Sequence, residues 1–515
     1  MALLKRLLRF VMARAEGLFD VAFGQANNPF VHLGALGWFF FWIVAGSGVY
    51  LYIFFDTGVT DAYASVEYIT YEQWYAAGVM RSLHRYGSDA LMLIVVLHLL
   101  REFSLDRLRG RRFFAWLTGV PTLMLIYVSG ISGYWLVWDK LAQYIAVATT
   151  EWFDALPIFA EPIANNFLNS STLGDRFFTL MVFIHIFAPI LLLLLMWVHI
   201  QRHAAARVNP PRPLMTGTAL TLIALSLIAP ATSQAPADLD TVPTLLNFDW
   251  FYLTAYPLLE LMPGGRVWLI AAGGLAVLCL LPWMPPAKPP PAAVVDLDNC
   301  NGCARCFDDC PFSAIVMAPR SDGKNYETEA VVNVDNCVSC GICVGACPTA
   351  TPFRRATAIV PGIELPDHPI ADLRERTLAA ADEFQHRTRV LVYACEQTAA
   401  DALADDRVRV LTLPCVAMLP PSFVDFVLSR KLADGVMIAG CAEGDCRYRL
   451  GDEWTRARIA GRRDPHLRDR VPRERLTFCW ARGSARRERN RALAGFIATL
   501  EELPPNLAGP ESRRD

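Results

Sequence analysis

Hydrophobic and polar positions divide the chain into two halves of different character. Up to about Met284, long apolar stretches dominate, and six of them approach the roughly 20 residues that a helix needs to cross a hydrocarbon core. These stretches are residues 33–55, 80–103, 114–138, 177–200, 214–231 and 265–284. The remainder is polar, with short apolar runs. The pattern predicts a multi-domain protein, with an all-α transmembrane helical bundle over residues 1–284 followed by water-exposed domains.

The composition agrees with this division. The 515 residues are 54% hydrophobic and 19% charged, which leans toward a membrane protein. The N-terminal segment MALLKRLLRFVMAR is basic and amphipathic but lacks a long apolar core followed by a small-residue cleavage site, so we expect a membrane-surface helix. The proline-rich segment 285–293 predicts a stiff linker between the halves.

Lysine and arginine residues set the expected direction of the spans. They precede the first span and lie between the second and third and between the fourth and fifth, whereas the alternate loops are acidic. The cations are Lys5, Arg6, Arg9, Arg14, Arg101, Arg107, Arg109, Arg111, Arg112, Arg202, Arg207 and Arg212. Because six spans return the chain to its starting side, we expect a protein of the cytoplasmic membrane, with both termini and all later domains in the cytoplasm.

Four of the nine histidines lie within the apolar stretches, where ionisable groups are costly and usually functional. His84 and His98 share the second span, and His185 and His199 share the fourth. Each pair is 14 residues apart, about four turns or 21 Å, so both members lie close to one helix face. Two such helices predict two haem-binding clamps, His84 with His185 near the outer face and His98 with His199 near the cytoplasmic face. Hydrogen-bonded core histidines are the alternative.

Glycines on the first and third spans repeat the histidine spacing. Gly34 and Gly48 are 14 residues apart, as are Gly119 and Gly133. Glycines are common packing positions in membrane helices, which is the alternative interpretation. Their shared period with the histidines favours a second role, in which the missing side chains let flat macrocycles approach the helices.

Residues 1–284 resemble cytochrome b of the quinol-oxidising respiratory and photosynthetic complexes. The resemblance is carried by RSLHRYGSDALMLIVVLHLLR (81–101), SGYWLVWDKLAQYIAVATT (132–150) and HIFAPILLLLLMWVH (185–199). It implies two b haems with the four histidines as ligands and the four glycines beside the haems. It also implies Arg81 and Arg101 near the haem propionates, quinone as a substrate, and a homodimer formed through this half.

Two further residues resemble positions of the family's quinone sites. Asn247–Gly265 resembles the segment with a Pro-Glu-Trp-Tyr motif, which here reads FDWF, so that Asp249 keeps the acid and could accept a quinol proton. The lost proline and tyrosine separate this chain from the family, and a solvated interfacial Asp249 is the alternative. His203 resembles a residue of the inner quinone site, with a snorkelling interfacial histidine as the alternative.

Twelve of the fourteen cysteines fall into three groups, which is typical of metal ligation in a reducing compartment. Two groups have the spacing CxxCxxCxxxCP of bacterial ferredoxins, which residues 294–360 resemble. There the fourth cysteine of each run serves the other 4Fe-4S cluster. Cluster one is therefore expected on Cys300, Cys303, Cys306 and Cys347, and cluster two on Cys337, Cys340, Cys343 and Cys310. Zinc is the alternative metal.

The third group follows short apolar runs at 390–395, 408–415, 435–441 and 476–481, which predict a small parallel α/β sheet over residues 385–505. Cys395, Cys415 and Cys441 end strands and Cys446 follows, at the edge where such sheets bind ligands. The quartet predicts a 2Fe-2S cluster, with buried structural cysteines as the alternative. The motif GCAEGDCRY resembles the iron-sulfur (delta) subunit of methyl-viologen-reducing hydrogenases.

No nucleophile–base pair, phosphate loop or dinucleotide motif stands out in the sequence. We expect the quinone-reactive subunit of an oxidoreductase complex, passing electrons between a soluble flavoprotein or dehydrogenase on the cytoplasmic side and membrane quinone. One alternative is quinol oxidation near Asp249 that drives electrons to a soluble low-potential reductase. Another is a non-catalytic membrane anchor. Nucleic acid is not an expected partner.

Overall fold

The computed structural model divides after Met284 into two compact units, Met1–Met284 and Pro285–Asp515. The residues that it describes are 2–105, 107–108, 113–158, 162–163, 168, 173–201, 208–249, 251–284, 290–354, 359–386, 388–398, 405–442, 446–482 and 485–506.

The first unit is a helical bundle. Its helices are α1 (Ala2–Phe23), α2 (Leu33–Tyr52), α3 (Ala62–Tyr71), α4 (Val79–Ser104), α5 (Phe113–Val137), α6 (Lys140–Asp154), α7 (Asp175–Gln201), α8 (Arg212–Ile228), α9 (Tyr256–Leu261) and α10 (Gly264–Leu280). A π-helical turn, Trp74–Gly78, leads into α4. Pro121 lies inside α5 and Pro189 inside α7, which membrane helices tolerate where neighbouring groups satisfy the freed carbonyls.

Within the part of this unit that the structure describes, five helical segments are long and apolar enough to cross a membrane. They are Leu33–Tyr52, Trp74–Ser104, Phe113–Val137, Asp175–Gln201 and Gly264–Trp283. The fifth predicted span corresponds to α8, which has 17 residues and ends at Ile228 because Pro230 disfavours helical backbone at the residue before it. The predicted helical bundle is therefore confirmed, with five candidate spans among the described residues, and the sixth span stays a prediction.

Two helix pairs organise the bundle. Helix α2 packs along α4, and α5 packs along α7. The core that these helices share includes Leu36, Phe40, Leu91, Ile126 and Phe178, all buried. These pairs matter for the site because the histidines lie on α4 and α7 and the glycines lie on α2 and α5.

The second unit begins with a small α+β module. Strands β1 (Val294–Val295) and β4 (Ile363–Glu364) pair antiparallel, and so do β2 (Ile315–Pro319) and β3 (Thr328–Val332). Two short helices carry cysteines, α11 (Arg305–Asp309) and α12 (Ile342–Ala346).

A four-stranded parallel sheet completes the second unit. Its strands are β5 (Val390–Cys395), β6 (Val408–Leu413), β7 (Gly435–Gly440) and β8 (Leu476–Trp480), in the order β6-β5-β7-β8. The helices of this module are α13 (Ile370–Asp382), α14 (Pro421–Ser429), α15 (Gly451–Ile459) and α16 (Arg486–Glu502). Alternate residues of β5 face opposite sides of the sheet: Val390 and Val392 share a core with Phe496 of α16, whereas Leu391 shares one with Val424 of α14. The predicted parallel sheet is confirmed.

Candidate haem and iron-sulfur sites

The structure brings His84 of α4 and His185 of α7 together. Their ring centroids are 6.1 Å apart and the rings are inclined by 66°. Metal–imidazole bonds of about 2 Å on both sides of an iron, plus about 1 Å from each nitrogen to its ring centre, separate two ring centres by about 6 Å. The spacing of this pair therefore fits bis-imidazole coordination of a haem iron.

Hydrogen bonds orient three of the four imidazoles through Nδ1. The Nδ1 atom of His84 lies 2.9 Å from the carbonyl oxygen of Val44, and that of His185 lies 3.0 Å from the carbonyl oxygen of Ser129. A carbonyl only accepts, so Nδ1 carries the proton in both rings and Nε2 is left as the metal-binding nitrogen. For His199, the Nδ1 partner is the hydroxyl of Thr118, at 2.9 Å.

Each predicted glycine lies against one of the predicted histidines. A Cβ atom added at Gly48 would lie 2.9 Å from Cε1 of His84, and one at Gly133 would lie 2.9 Å from Cε1 of His185. The corresponding distances are 3.4 Å for Gly34 to His98 and 3.5 Å for Gly119 to His199. The glycines thus make room for the imidazole rings themselves.

Sequence reasoning missed three hydroxyl residues beside these rings. Ser47, Thr118 and Ser132 place their hydroxyls 3.2, 2.9 and 3.2 Å from the Nδ1 atoms of His84, His199 and His185. Each immediately precedes one of the glycines, and this hydroxyl–glycine pairing was the available signal. At the fourth glycine, Gly34, the preceding residue is Leu33, which has no hydroxyl.

The glycine distances predict that an alanine substitution is tolerated beside His98 but not beside His84. We expect Gly48→Ala to lower the haem content from two per chain toward one, because the new methyl group would displace His84. Gly34→Ala should keep both haems, since 3.4 Å is an ordinary contact. Alanine has a higher helix propensity than glycine at both positions, so a loss of haem cannot come from a weaker helix. Spectra of the dithionite-reduced proteins measure the haem content, and equal content in the two variants would contradict the prediction.

The two arginines expected near haem propionates have protein partners here. Arg81 donates to the hydroxyls of Ser233, at 2.8 Å, and of Thr70. Arg101 is buried and its Nε donates to Glu16 of α1 at 2.8 Å. A propionate role for either arginine stays a prediction.

Asp249 is buried in an ionic cluster rather than solvated. Its Oδ2 accepts from Arg85 at 2.9 Å and from the hydroxyl of Tyr134, and its Oδ1 accepts from the backbone N–H of Phe251 at 2.6 Å. Arg85 also pairs with Asp89 one turn further along α4. The carboxylate thus has partners on both oxygens. His203, the other predicted quinone residue, lies outside the described residues.

The eight ferredoxin-type cysteines line two cavities in the predicted combination. The first cavity is bounded by Cys300, Cys303, Cys306 and Cys347. The second is bounded by Cys310, Cys337, Cys340 and Cys343. The fourth cysteine of each run therefore lies with the first three of the other run. Each cavity is therefore lined by four thiols, which is the ligand set of a 4Fe-4S cluster.

The third cysteine group assembles at the carboxyl edge of the parallel sheet. Cys395 ends β5 and its Sγ lies 3.7 Å from that of Cys441, which follows the adjacent strand β7. Hydrogen bonds from the thiols of Cys415 and Cys441 lower the pKa of Cys446 to about 3. All four side chains are buried. Because four thiols share one site at the point where the strand order reverses, the arrangement fits a cofactor held by four thiolates.

Exchange of the fourth cysteines can be tested by substitution. We expect Cys347→Ser to alter the electron paramagnetic resonance (EPR) signal of the cluster held by Cys300, because both cysteines line the first cavity. Cys310→Ser should alter the other 4Fe-4S signal, because Cys310 lines the second cavity. The control is Cys479→Ser, on β8, which should leave both signals intact. The pairing would be wrong if Cys347→Ser changed the same signal as Cys337→Ser.

Three segments of the chain match known families. Residues 20–204 match the family described as Cytochrome b/b6/petB, residues 299–351 match the 4Fe-4S dicluster domain, and residues 390–504 match the methyl-viologen-reducing hydrogenase, delta subunit. These matches confirm the three resemblances. A solved structure titled "Hyperthermophilic respiratory Complex III" is similar over 50% of this chain and 75% of that chain, with 22% identity and a TM-score of 0.41.

The family matches and the apolar helices define a class: a multi-pass membrane protein with a role in electron transfer. More particularly, it joins a cytochrome b segment, which implies haem b, to a ferredoxin segment, which implies 4Fe-4S clusters.

Proposed function

We propose that this chain is the quinone-reactive electron-transfer subunit of a membrane oxidoreductase complex, which passes electrons between a soluble flavoprotein or dehydrogenase and membrane quinone. The observation that carries the proposal is the presence, in one chain, of a His84–His185 clamp inside an apolar bundle and of three cysteine quartets in a polar unit. Two bound b haems, two 4Fe-4S clusters and one 2Fe-2S cluster would supply one-electron carriers.

The chain's own residues prepare these sites in two ways. In the bundle, carbonyls and hydroxyls hold Nδ1 of the imidazoles, so that Nε2 faces the metal position. In the polar unit, backbone N–H groups point at sulfur: Ala314 donates to Cys310 at 3.3 Å and Ala293 donates to Cys337 at 3.5 Å. Such hydrogen bonds stabilise thiolate charge and raise the potential of a bound cluster.

A sixth crossing by α8 supports the cytoplasmic placement of both termini. Residues just after α8 contact the start of α4, near the His84 level: Ala231 donates to Ser82 at 3.0 Å. Helix α8 itself begins soon after α7 has passed the His199 level. The two levels are about 21 Å apart and 17 residues of helix span about 25 Å, so α8 is long enough to connect them.

The ionic cluster argues against the reverse reaction at the outer face. Quinol oxidation there needs a base that is free to take a proton. Both oxygens of the Asp249 carboxylate already accept hydrogen bonds, from Arg85, Tyr134 and the backbone N–H of Phe251. The quinone reaction is therefore proposed for the inner side, where His203 is the expected ligand. A homodimer formed through the bundle stays an expectation from the resemblance.

Purification of the chain with its attached subunits tests the proposal. A reduced b-type spectrum, two haems per chain and about twelve iron atoms in all would support it. A flavin-containing partner would support the proposed donor. Absence of haem would overturn the proposal, because a simple anchor needs none.

A further inference from the structure

We propose that the third cysteine group is the immediate neighbour of cluster two, and that Arg458 is the positioning residue that fixes the two sites against each other. The order along the second unit is then third group, cluster two, cluster one. The inference rests on the proposed function only in assuming that the cysteines bind clusters.

Packing places the third group against cluster two. Cys415 of the third group shares a buried apolar cluster with Cys340, together with Phe312, Ile342 and Ala417. Cys310 and Cys337 also pack against this cluster. Three of the four cysteines assigned to cluster two are thus in the same small packed region as Cys415, and none of those assigned to cluster one is in that region. The larger core of the unit contains cysteines of all three groups, so the contacts of Cys415 and of the residues around it distinguish the two neighbours.

Arg458 of α15 joins the loops that carry both sets of cysteines. Its side chain is 1% exposed, and its Nη1 donates to the carbonyl oxygen of Ala417, two residues after Cys415, at 2.7 Å. Its Nη2 donates to the carbonyl oxygen of Ile342, at 3.2 Å, and to the carboxylate of Asp309. Asp309 precedes Cys310 and Ile342 precedes Cys343. One guanidinium therefore reaches the loop of the third group and two loops of cluster two.

Neighbouring side chains hold the residues on either side of Cys310. The indole N–H of Trp454 donates to the carbonyl oxygen of Asp309 at 3.1 Å, and Arg449 donates to the carbonyl oxygen of Pro311, also at 3.1 Å. Arg463 forms a second ion pair with Asp309. The segment that follows Cys446 thus forms hydrogen bonds with the residues immediately before and after Cys310.

Glycines make this close approach sterically allowed. A Cβ atom at Gly345 of α12 would lie 2.0 Å from the carbonyl oxygen of Ala417, and one at Gly451 would lie 2.3 Å from Sγ of Cys415. Both positions therefore require glycine for α12 and α15 to meet the loop after Cys415. The contact between the two sites is closely packed and contains the buried ion pair of Arg458 and Asp309.

A buried arginine is suited to this place for two reasons. Its planar fork satisfies several acceptors at once, which fixes geometry better than a lysine. Its charge also lies beside Asp309, which precedes Cys310, and near Cys415 of the third group, and nearby positive charge favours the more negative, reduced form of a cluster. Loss of the charge should therefore lower the reduction potential of cluster two and leave cluster one unchanged.

The test is an anaerobic redox titration of the purified full-length protein, followed by EPR. Arg458→Met keeps an unbranched apolar stem and removes the charge and the hydrogen-bond donors. We expect lower potentials for cluster two and the third group, weaker magnetic interaction between them, and an unchanged cluster one. Arg458→Lys should restore the potential of cluster two toward the wild-type value but not the interaction.

The matched control is Arg320, which holds the loop of cluster one through the carbonyl oxygens of Cys300, at 2.7 Å, and Leu297, at 2.6 Å. Arg320→Met should change the reduction potential of cluster one alone. If Arg458→Met changed the reduction potential of cluster one, or changed no reduction potential at all, the inference would be overturned.

The wild-type protein provides a measurement that needs no folded variant. In the fully reduced protein, magnetic interaction with reduced cluster two should broaden the EPR signal of the third group. The broadening should vanish as cluster two is selectively reoxidised. Broadening that follows cluster one instead would overturn the inference. Failure of the proposed function has a different signature, namely missing clusters in the iron analysis or clusters present without quinone reduction.

Discussion

His98→Ala removes the inner-side haem and stops electron transfer from the second unit to quinone, while the iron-sulfur content stays at its wild-type level. We expect this result because His98 supplies one of the two imidazoles of the predicted inner clamp and alanine cannot replace a metal ligand. The haem content should fall from two per chain to about one. Reduced spectra and quinone-reduction assays on the same preparation measure both effects.

His32→Ala is the matched control for this substitution. His32 belongs to the first unit but lies outside the quartet, and its Nε2 atom lies 2.9 Å from the carbonyl oxygen of Ala26. The control should keep two haems and normal quinone reduction. Unchanged quinone reduction in His98→Ala would favour the anchor interpretation, in which haem is dispensable.

Gly345→Ala should have the largest effect in the second unit. Its methyl group would collide with the backbone of Ala417 and with Arg458, and backbone cannot move aside as the end of a flexible side chain can. Overpacking of this kind costs about 3 kcal/mol. We expect loss of cluster two and of the third group, so that the ratio of total iron to haem falls from about six to about three.

Gly495→Ala provides the comparison. Gly495 lies in α16, and a Cβ atom there would meet nothing within 4 Å. Alanine at an open helical position stabilises the helix by about 1 kcal/mol, so the iron-to-haem ratio should stay at about six. If Gly345→Ala kept the same ratio, the close approach of α12 to the loop after Cys415 would be contradicted.

The histidine and glycine positions could be predicted because they depend on one local regularity. A spacing of 14 residues returns to nearly the same face of a helix, whatever the helix packs against. The structure places each of the four glycines against one of the four histidines. The hydroxyls of Ser47, Thr118 and Ser132 precede three of the four glycines in the sequence, but their role appears only once α2 faces α4 and α5 faces α7.

The polar clusters could not be predicted, because their members are far apart in the chain. Arg85 and Asp249 are separated by 164 residues, and Arg458 and Asp309 by 149. No periodicity links such pairs, and only tertiary packing brings them together. The cysteine pairing is an exception, since the ferredoxin spacing already contains the exchange of Cys310 and Cys347.

The central claim is that electrons pass between the cysteine-bound sites and quinone through the histidine-bound haems. Stopped-flow oxidation of the fully reduced, full-length protein by a short-chain quinone tests it most directly, with haem absorbance and rapid-freeze EPR followed together. We predict that haem and iron-sulfur signals are both oxidised in the wild-type protein, and that the iron-sulfur signals stay reduced in His98→Ala. Iron-sulfur oxidation at the same rate in both proteins would contradict the account.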